Sequence, residues 1–260
     1  MVIKNEEVLR QFAPAALTQY PDPNSVSSKY QFLPTTEVLE VLQDEGWEVW
    51  NAVQVRSRKS SPLHCKHMIR LRHQDLDAES LGYNDSFPEL LVINAHNGLS
   101  SYNLRAGIFR MVCSNGMVVA DTEFDSVRIR HQNFDYNQVM DYSRNLVRNA
   151  EKISSTVTEW QGIELSEEKQ LSFALDASKL RWKDGVDEDT ARYEVLRARR
   201  HHDRGDSLWL TYQRTQENLM RGGYMPSMNS RRRSGEVRNI DANVNINTGL
   251  WDLATAYAAN

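Results

Sequence analysis

Cysteine is scarce in this chain: Cys65 and Cys113 are the only two in 260 residues. Two thiols set in apolar runs exclude a disulfide framework and fit a reducing compartment. No CxxC or HExxH spacing is present. On a strand His64 and Cys65 point to opposite faces, so His64, Cys65, His67, His96 and Cys113 are not expected to hold a metal. Apolar runs never approach the roughly 18 residues of a membrane span. The opening MVIKNEEVLRQF has no apolar signal core. The expectation is therefore a cytoplasmic protein without membrane contact. Phosphate loops are missing as well, because neither GLSSYNLRAG nor RGGY carries the Lys-Ser/Thr of a nucleotide-binding loop. There is no GxSxG nucleophile turn. A nucleophile pair of Cys113 with His96 would lack an orienting acid. No cofactor and no enzymatic activity are expected.

What the chain does have is a core and an uneven charge. Six Trp and ten Tyr in 260 residues are enough to build a buried interior without staples. The net charge is −4, yet between Arg192 and Arg238 there are eleven Arg, no Lys and five acids. That block carries +6 and leaves −10 for the remainder. A basic block on an acidic protein is an electrostatic footprint for an anionic partner, or else a belt of arginines paired to the acids around it.

Along the chain, four of the seven prolines lie at Pro14, Pro21, Pro23 and Pro34. Residues 1–34 read as an N-terminal arm of turns. PTTEVLEVLQDEG reads as a short helix with Thr35 or Thr36 as cap and Gly46 as stop. WEVWNAVQVRS, LHCKHMIRLRH, ELLVINAH and SYNLRAGIFRMVCS read as strands. The second alternates an apolar face with a basic one bearing Lys66, Arg70 and Arg72. Asn97-Gly98 and Asn115-Gly116 are residue pairs suited to hairpin turns, where positive φ is needed. Helices follow, the first with Val139, Tyr142, Leu146, Ala150, Ile153, Val157 and Trp160 on one face. A second puts Leu171, Ala174, Leu175 and Ser178 on one face, and a third starts on Asp206 as cap. The last, NTGLWDLATAYAAN, has Leu250, Leu253, Ala254 and Tyr257 inward. The fold class is α+β: a short helix, an antiparallel sheet of four or five strands, then a helical C-terminal half. Residues 35–135 hold the helix and sheet and 136–260 the helical half, packed together as one unit.

The segments LRARRHHDRGD and SRRRSGEVR supply Arg197, Arg199, Arg200, Arg231, Arg232 and Arg233 as candidates to neutralise phosphates. Tyr193 and Tyr224 lie near them as stacking surfaces. Lys66, Arg70 and Arg72 would form a second basic wall. Gln216, Glu217 and Asn218 are polar for a helix that packs by Trp209, Tyr212 and Leu219, and read either as a buried hydrogen-bond network or as the outer face of the helix.

Three stretches carry a family resemblance. NAHNG contributes Asn94, His96 and Gly98. FRMVCSNG contributes Phe109, Arg110, Cys113, Ser114, Asn115 and Gly116. The third, around LWLTYQRTQENLMRGG, contributes Arg200, Asp203, Leu208, Trp209, Gln216, Glu217, Asn218, Gly222 and Gly223. Over about residues 35–258 the chain resembles the DUF932 family of phage- and plasmid-encoded proteins. The resemblance implies a mobile-element origin and no defined activity. The order of helix, meander and long helix also resembles the core of single-strand annealing proteins. The leading expectation is an accessory protein that binds nucleic acid, DNA first, by single-strand binding or annealing as a homo-oligomer. The alternative is an anti-defence protein that blocks a host restriction or CRISPR nuclease through its acidic surface.

Overall fold

The run WEVWNAVQ is rich in β-branched and aromatic residues, which fill a pleated surface well, and it forms the edge strand of a sheet. The computed structural model describes residues 3–26, 30–56, 61–76, 86–98, 100–110, 116–118, 126–131, 134–226 and 232–259. In chain order its elements begin with α1 (Glu6–Phe12), α2 (Thr35–Asp44), β1 (Trp47–Gln54), β2 (His67–His73), β3 (Ser86–Asn94) and β4 (Tyr102–Arg110). They continue with β5 (Gly116–Val118), β6 (Val127–Ile129), α3 (Tyr136–Gly162), α4 (Glu167–Lys179), α5 (Glu188–Thr190), α6 (Leu208–Arg221) and α7 (Ile240–Ala258). Two compact units result: Met1–Phe109 with Thr122–Glu151, and Arg110–Asp121 with Lys152–Asn260. The boundary falls inside α3, whose apolar stripe runs on without a break, so nothing in the periodicity marks it.

The first unit holds five antiparallel strands, in the order β1, β2, β3, β4 with β6 paired to β4. The α+β class is therefore as the pattern predicts. Residues before Pro34 are more than an arm. In α1 and the turn after it Leu9, Ala13, Ala15 and Ala16 are fully buried, and α1 packs on β1. The Asn5 side chain donates to the Val49 carbonyl at 2.8 Å, and the Ala15 amide donates to Gln54 Oε1 at 2.9 Å. Prolines there turn the chain back onto the sheet edge.

β2 departs from its expected form in two ways. It starts at His67, because Pro62–His64 forms a 3₁₀ turn. It is also buried on both faces: Met68 and Arg70 are as inaccessible as Ile69 and Leu71. Alternation gives the two faces of a strand, but it does not say whether the polar one is covered.

In the second unit the α3 stripe is buried as predicted, through Ile153, Val157 and Trp160. Trp160 is the hub of a ring cluster, with centroids 4.6 Å from Trp251, 5.6 Å from Tyr212 and 6.4 Å from Trp209. Trp209 and Tyr212 stack at 6°. α4 buries Phe173, Ala174, Ala177 and Ser178, a face rotated from the expected one. α7 begins at Ile240, capped by Asn239, well before NTGLW, and buries Trp251 in place of Leu253. α6 is capped by Ser207, whose hydroxyl accepts from the Leu210 amide, and Asp206 instead receives the Gln170 side chain. Gly222 ends α6 with φ +64, where a Cβ would stand 2.7 Å from the Gly235 carbonyl.

Because Trp160 touches three rings, Trp160→Ala should cost about 3–5 kcal/mol of stability. Urea unfolding followed by circular dichroism measures this, and a loss under 1 kcal/mol would mean the ring cluster is not the second unit's core.

Candidate functional site

Glu89 on β3 is fully buried, and a carboxylate out of water must be paired. Its partners are Arg70 and Arg72 of β2. Arg70 Nε donates to Oε2 at 2.6 Å and Nη2 to Oε1 at 3.0 Å, while Arg72 Nε donates to Oε1 at 2.8 Å. The expected basic wall is thus not a solvent face: Arg70 is buried and Arg72 nearly so. Lys66, half-buried beside the start of β2, and to a lesser degree Arg72 keep partial access to water.

The NAHNG stretch does not make a two-residue hairpin, since β3 ends at Asn94 and β4 begins at Tyr102. The main chain is drawn off the ladder at His96, whose amide donates to the His64 carbonyl and whose carbonyl accepts from the Asp22 amide. The side chains of Asn94 and His96 converge with His67 on one hydroxyl, that of Thr35 in the first turn of α2. Thr35 Oγ1 lies 2.9 Å from His67 Nε2, 3.2 Å from His96 Nε2 and 3.1 Å from Asn94 Nδ2. His67 Nδ1 donates to the Cys65 carbonyl, so its Nε2 accepts from Thr35. The hydroxyl then accepts from His96 and Asn94, using one donor and two lone pairs. Thr35 therefore does not cap α2; Pro34 stands there without a side-chain bond. Burial pushes His67 down to about 4 and His96 down to about 2, so both imidazoles are neutral at pH 7. Tyr102 joins the group by donating to the Leu33 carbonyl at 3.0 Å. Among the described residues no set of three His, Cys, Asp or Glu has metal-binding geometry. Cys65 is buried, and its thiol donates to the Ser61 carbonyl. The side chains of Phe109 and Arg110, and residues Cys113 to Asn115, lie outside the described residues; Gly116 starts β5.

In the second unit the consecutive residues Gln216, Glu217 and Asn218 point about 100° apart around α6 and each fixes a different neighbour. Gln216 Nε2 donates to Asn247 Oδ1 of α7 at 3.0 Å. Glu217, nearly inaccessible, receives Arg200 through two nitrogens at 2.6 and 2.9 Å and Arg221 at 3.0 Å. Asn218 Nδ2 donates to the carbonyls of Val195 and Arg197, and its Oδ1 accepts from Arg199 Nε at 2.6 Å. Of the two readings of these residues the buried network is the one present, and it straps the segment from Val195 to Arg200 along the helix. Arg200 is consumed in it.

A different set of guanidiniums gathers where α6 ends. Arg181 donates to the carbonyls of Leu219 and Gly235, Arg199 to that of Gly222 at 3.1 Å, and Arg233 to that of Gly223 at 2.9 Å. Arg181 thus meets the partial negative charge of the helix C-terminus, roughly half an elementary charge, and Arg199 and Arg233 close on the turn that follows it. Arg197 and Arg232 are exposed nearby in sequence, and Arg231 lies outside the described residues. Tyr224 is buried against Trp182 at 5.7 Å, so it is no stacking surface; Tyr193 is 67% exposed. Arg181, with its guanidinium 4.7 Å from the Trp182 ring, lies outside the basic block, so the charge pattern of the sequence does not point to it.

Two outcomes follow. Glu89→Ala strands Arg70 in the interior and should cost about 3–5 kcal/mol, read from the urea midpoint. Neutral buried His67 and His96 take up protons in the unfolded chain near pH 6.5 but resist them when folded. Stability should therefore be full above about pH 6.5 and fall as the pH drops toward 4. Thermal unfolding across that range checks the sign, and a flat profile would contradict it.

The family model described as "Domain of unknown function (DUF932)" matches residues 24–251. The chain is 34% identical over 236 residues to UPF0380 protein YafZ of Escherichia coli (strain K12), covering 89% of this chain and 84% of that one. It is 34% identical over 234 residues to UPF0380 protein YfjQ of the same organism, covering 88% and 83%. No solved structure matches. With most of its length inside the family model and both relatives covered nearly end to end, the chain belongs to the DUF932 family.

Proposed function

We propose that the protein binds single-stranded nucleic acid, DNA first, by holding the sugar-phosphate backbone at the arginine-rich end of α6. One observation carries this reading. Arg181, Arg199 and Arg233 converge on that end and donate to main-chain carbonyls and one amide oxygen, not to carboxylates. The helix terminus offsets only about half a charge, so most of their positive charge remains for an anion. Exposed Arg197 and Arg232 extend the basic segments on either side in sequence. By contrast Arg70, Arg72 and Arg200, tied to buried carboxylates, belong to the framework.

The test is anisotropy of a labelled single-stranded oligonucleotide at two salt concentrations, with duplex as control. Replacing Arg197, Arg232 and Arg233 together by Glu should weaken binding at least about tenfold and flatten the log–log salt slope by about 2, near 0.7 per lost phosphate contact. The unfolding midpoint should stay put, since none of the three bonds a buried carboxylate. Unchanged binding by this variant would remove the reading. No binding by the wild type at low salt would do the same and turn attention to a protein partner for the acidic remainder.

A further inference from the structure

Trp50 sits at a break in the sheet. The β1–β2 register runs Val49↔Leu71 and then Asn51↔Arg70, so Trp50 has no partner and is the extra residue of a β-bulge. A bulge re-aims the side chain it carries, and here it leaves an indole 51% exposed beside buried Val49 and Ala52. The guanidinium carbon of Arg72 stands 3.8 Å from the Trp50 ring centroid. Arg72 is itself fixed from within, since its Nε donates to fully buried Glu89. One face of the indole is therefore backed by a cation on a rigid strand, and the ring keeps half its surface in water.

Shielding Arg72 needs only the covered face. The open face has a composition that selects its occupant. A second cation stacked there would meet the repulsion of Arg72 across the ring, which disfavours ammonium ligands. A neutral, planar heterocycle has no such penalty, and base–indole stacking is tolerant of sequence. Exposed Arg56, two residues beyond β1, makes no ion pair among the described residues and suits a phosphate-bearing chain.

We infer that the Arg72-backed indole of Trp50 is a stacking platform for an unpaired nucleobase of a single-stranded nucleic acid. The inference rests on the proposed single-strand binding and adds a base-contacting element to it. The test uses the full chain, a labelled oligothymidine and an abasic oligonucleotide of equal length, at one salt concentration. Trp50→Ala should lower affinity for oligothymidine roughly tenfold, within the range of a stacked base, and Trp50→Tyr should restore most of it. The abasic strand should bind wild type and Trp50→Ala alike. Thermal midpoints of both variants near that of wild type show that folding is intact. If wild type holds both strands equally and Trp50→Ala matches it, the platform is overturned while backbone binding stands. If the triple Glu variant binds as wild type but Trp50→Ala loses the base-dependent part, the platform stands and the arginine reading falls. No binding to either strand overturns both.

Discussion

A carboxylate taken out of water must find cations, and each unit of this protein is organised by one that did. Glu89 in the first unit and Glu217 in the second are almost without solvent contact, and each claims two arginines. Breaking such a pair leaves a charge stranded in a poor dielectric, which is why the geometry is so fully specified. Glu89 fixes the direction of Arg70 and Arg72, and through Arg72 the seat of Trp50. Glu217 fixes Arg200, which brings the preceding strap of chain against α6. Arg181, Arg199 and Arg233, by contrast, donate to main-chain carbonyls near the end of α6.

The family's shared motifs read as architecture first. Asn94 and His96 meet Thr35 and His67 around one hydroxyl whose donor and both lone pairs are used. The Thr35 hydroxyl is fully used, while Asn94 Oδ1 and His96 Nδ1 are buried without a hydrogen-bond partner among the described residues, and the shared hydroxyl ties together α2, β2 and the chain leaving β3. Gln216, Glu217 and Asn218 do the same for α6, α7 and the segment before Asp203. The π turn at Ala191–Val195, closed by the Leu196 amide donating to the Ala191 carbonyl, sets the phase at which Arg197 and Arg199 emerge. In these motifs the polar residues hold elements together.

A basic block with a net of +6 looks uniform in sequence, but its members differ in what they face. Arg200 and Arg214 are committed inward, the latter to the carbonyls of Asp203 and Gly205 and to Gln170. Arg199 and Arg233 are joined by Arg181 from outside the block. The rings differ as well: Tyr224 is enclosed by Trp182, while Tyr193 and Trp50, the latter inside a strand, reach water.

By itself the sequence determined the α+β class, the stripe of α3, the stop of α2 at Gly46 and the run of polar residues Gln216, Glu217 and Asn218 in α6. These depend on periodicity, on positive φ at glycine and on side-chain polarity, all of which are local or nearly so. Tertiary structure alone decided the rest. Whether the Arg70 face of β2 is covered, that Thr35 serves as a hub and not as a cap, that Trp50 is bulged outward, and which arginines are tied to buried carboxylates all turn on residues far apart in the chain. Covering a strand face, converging three side chains on one hydroxyl and pairing Arg181 with the end of α6 are matters of packing, and no local pattern encodes what another element brings.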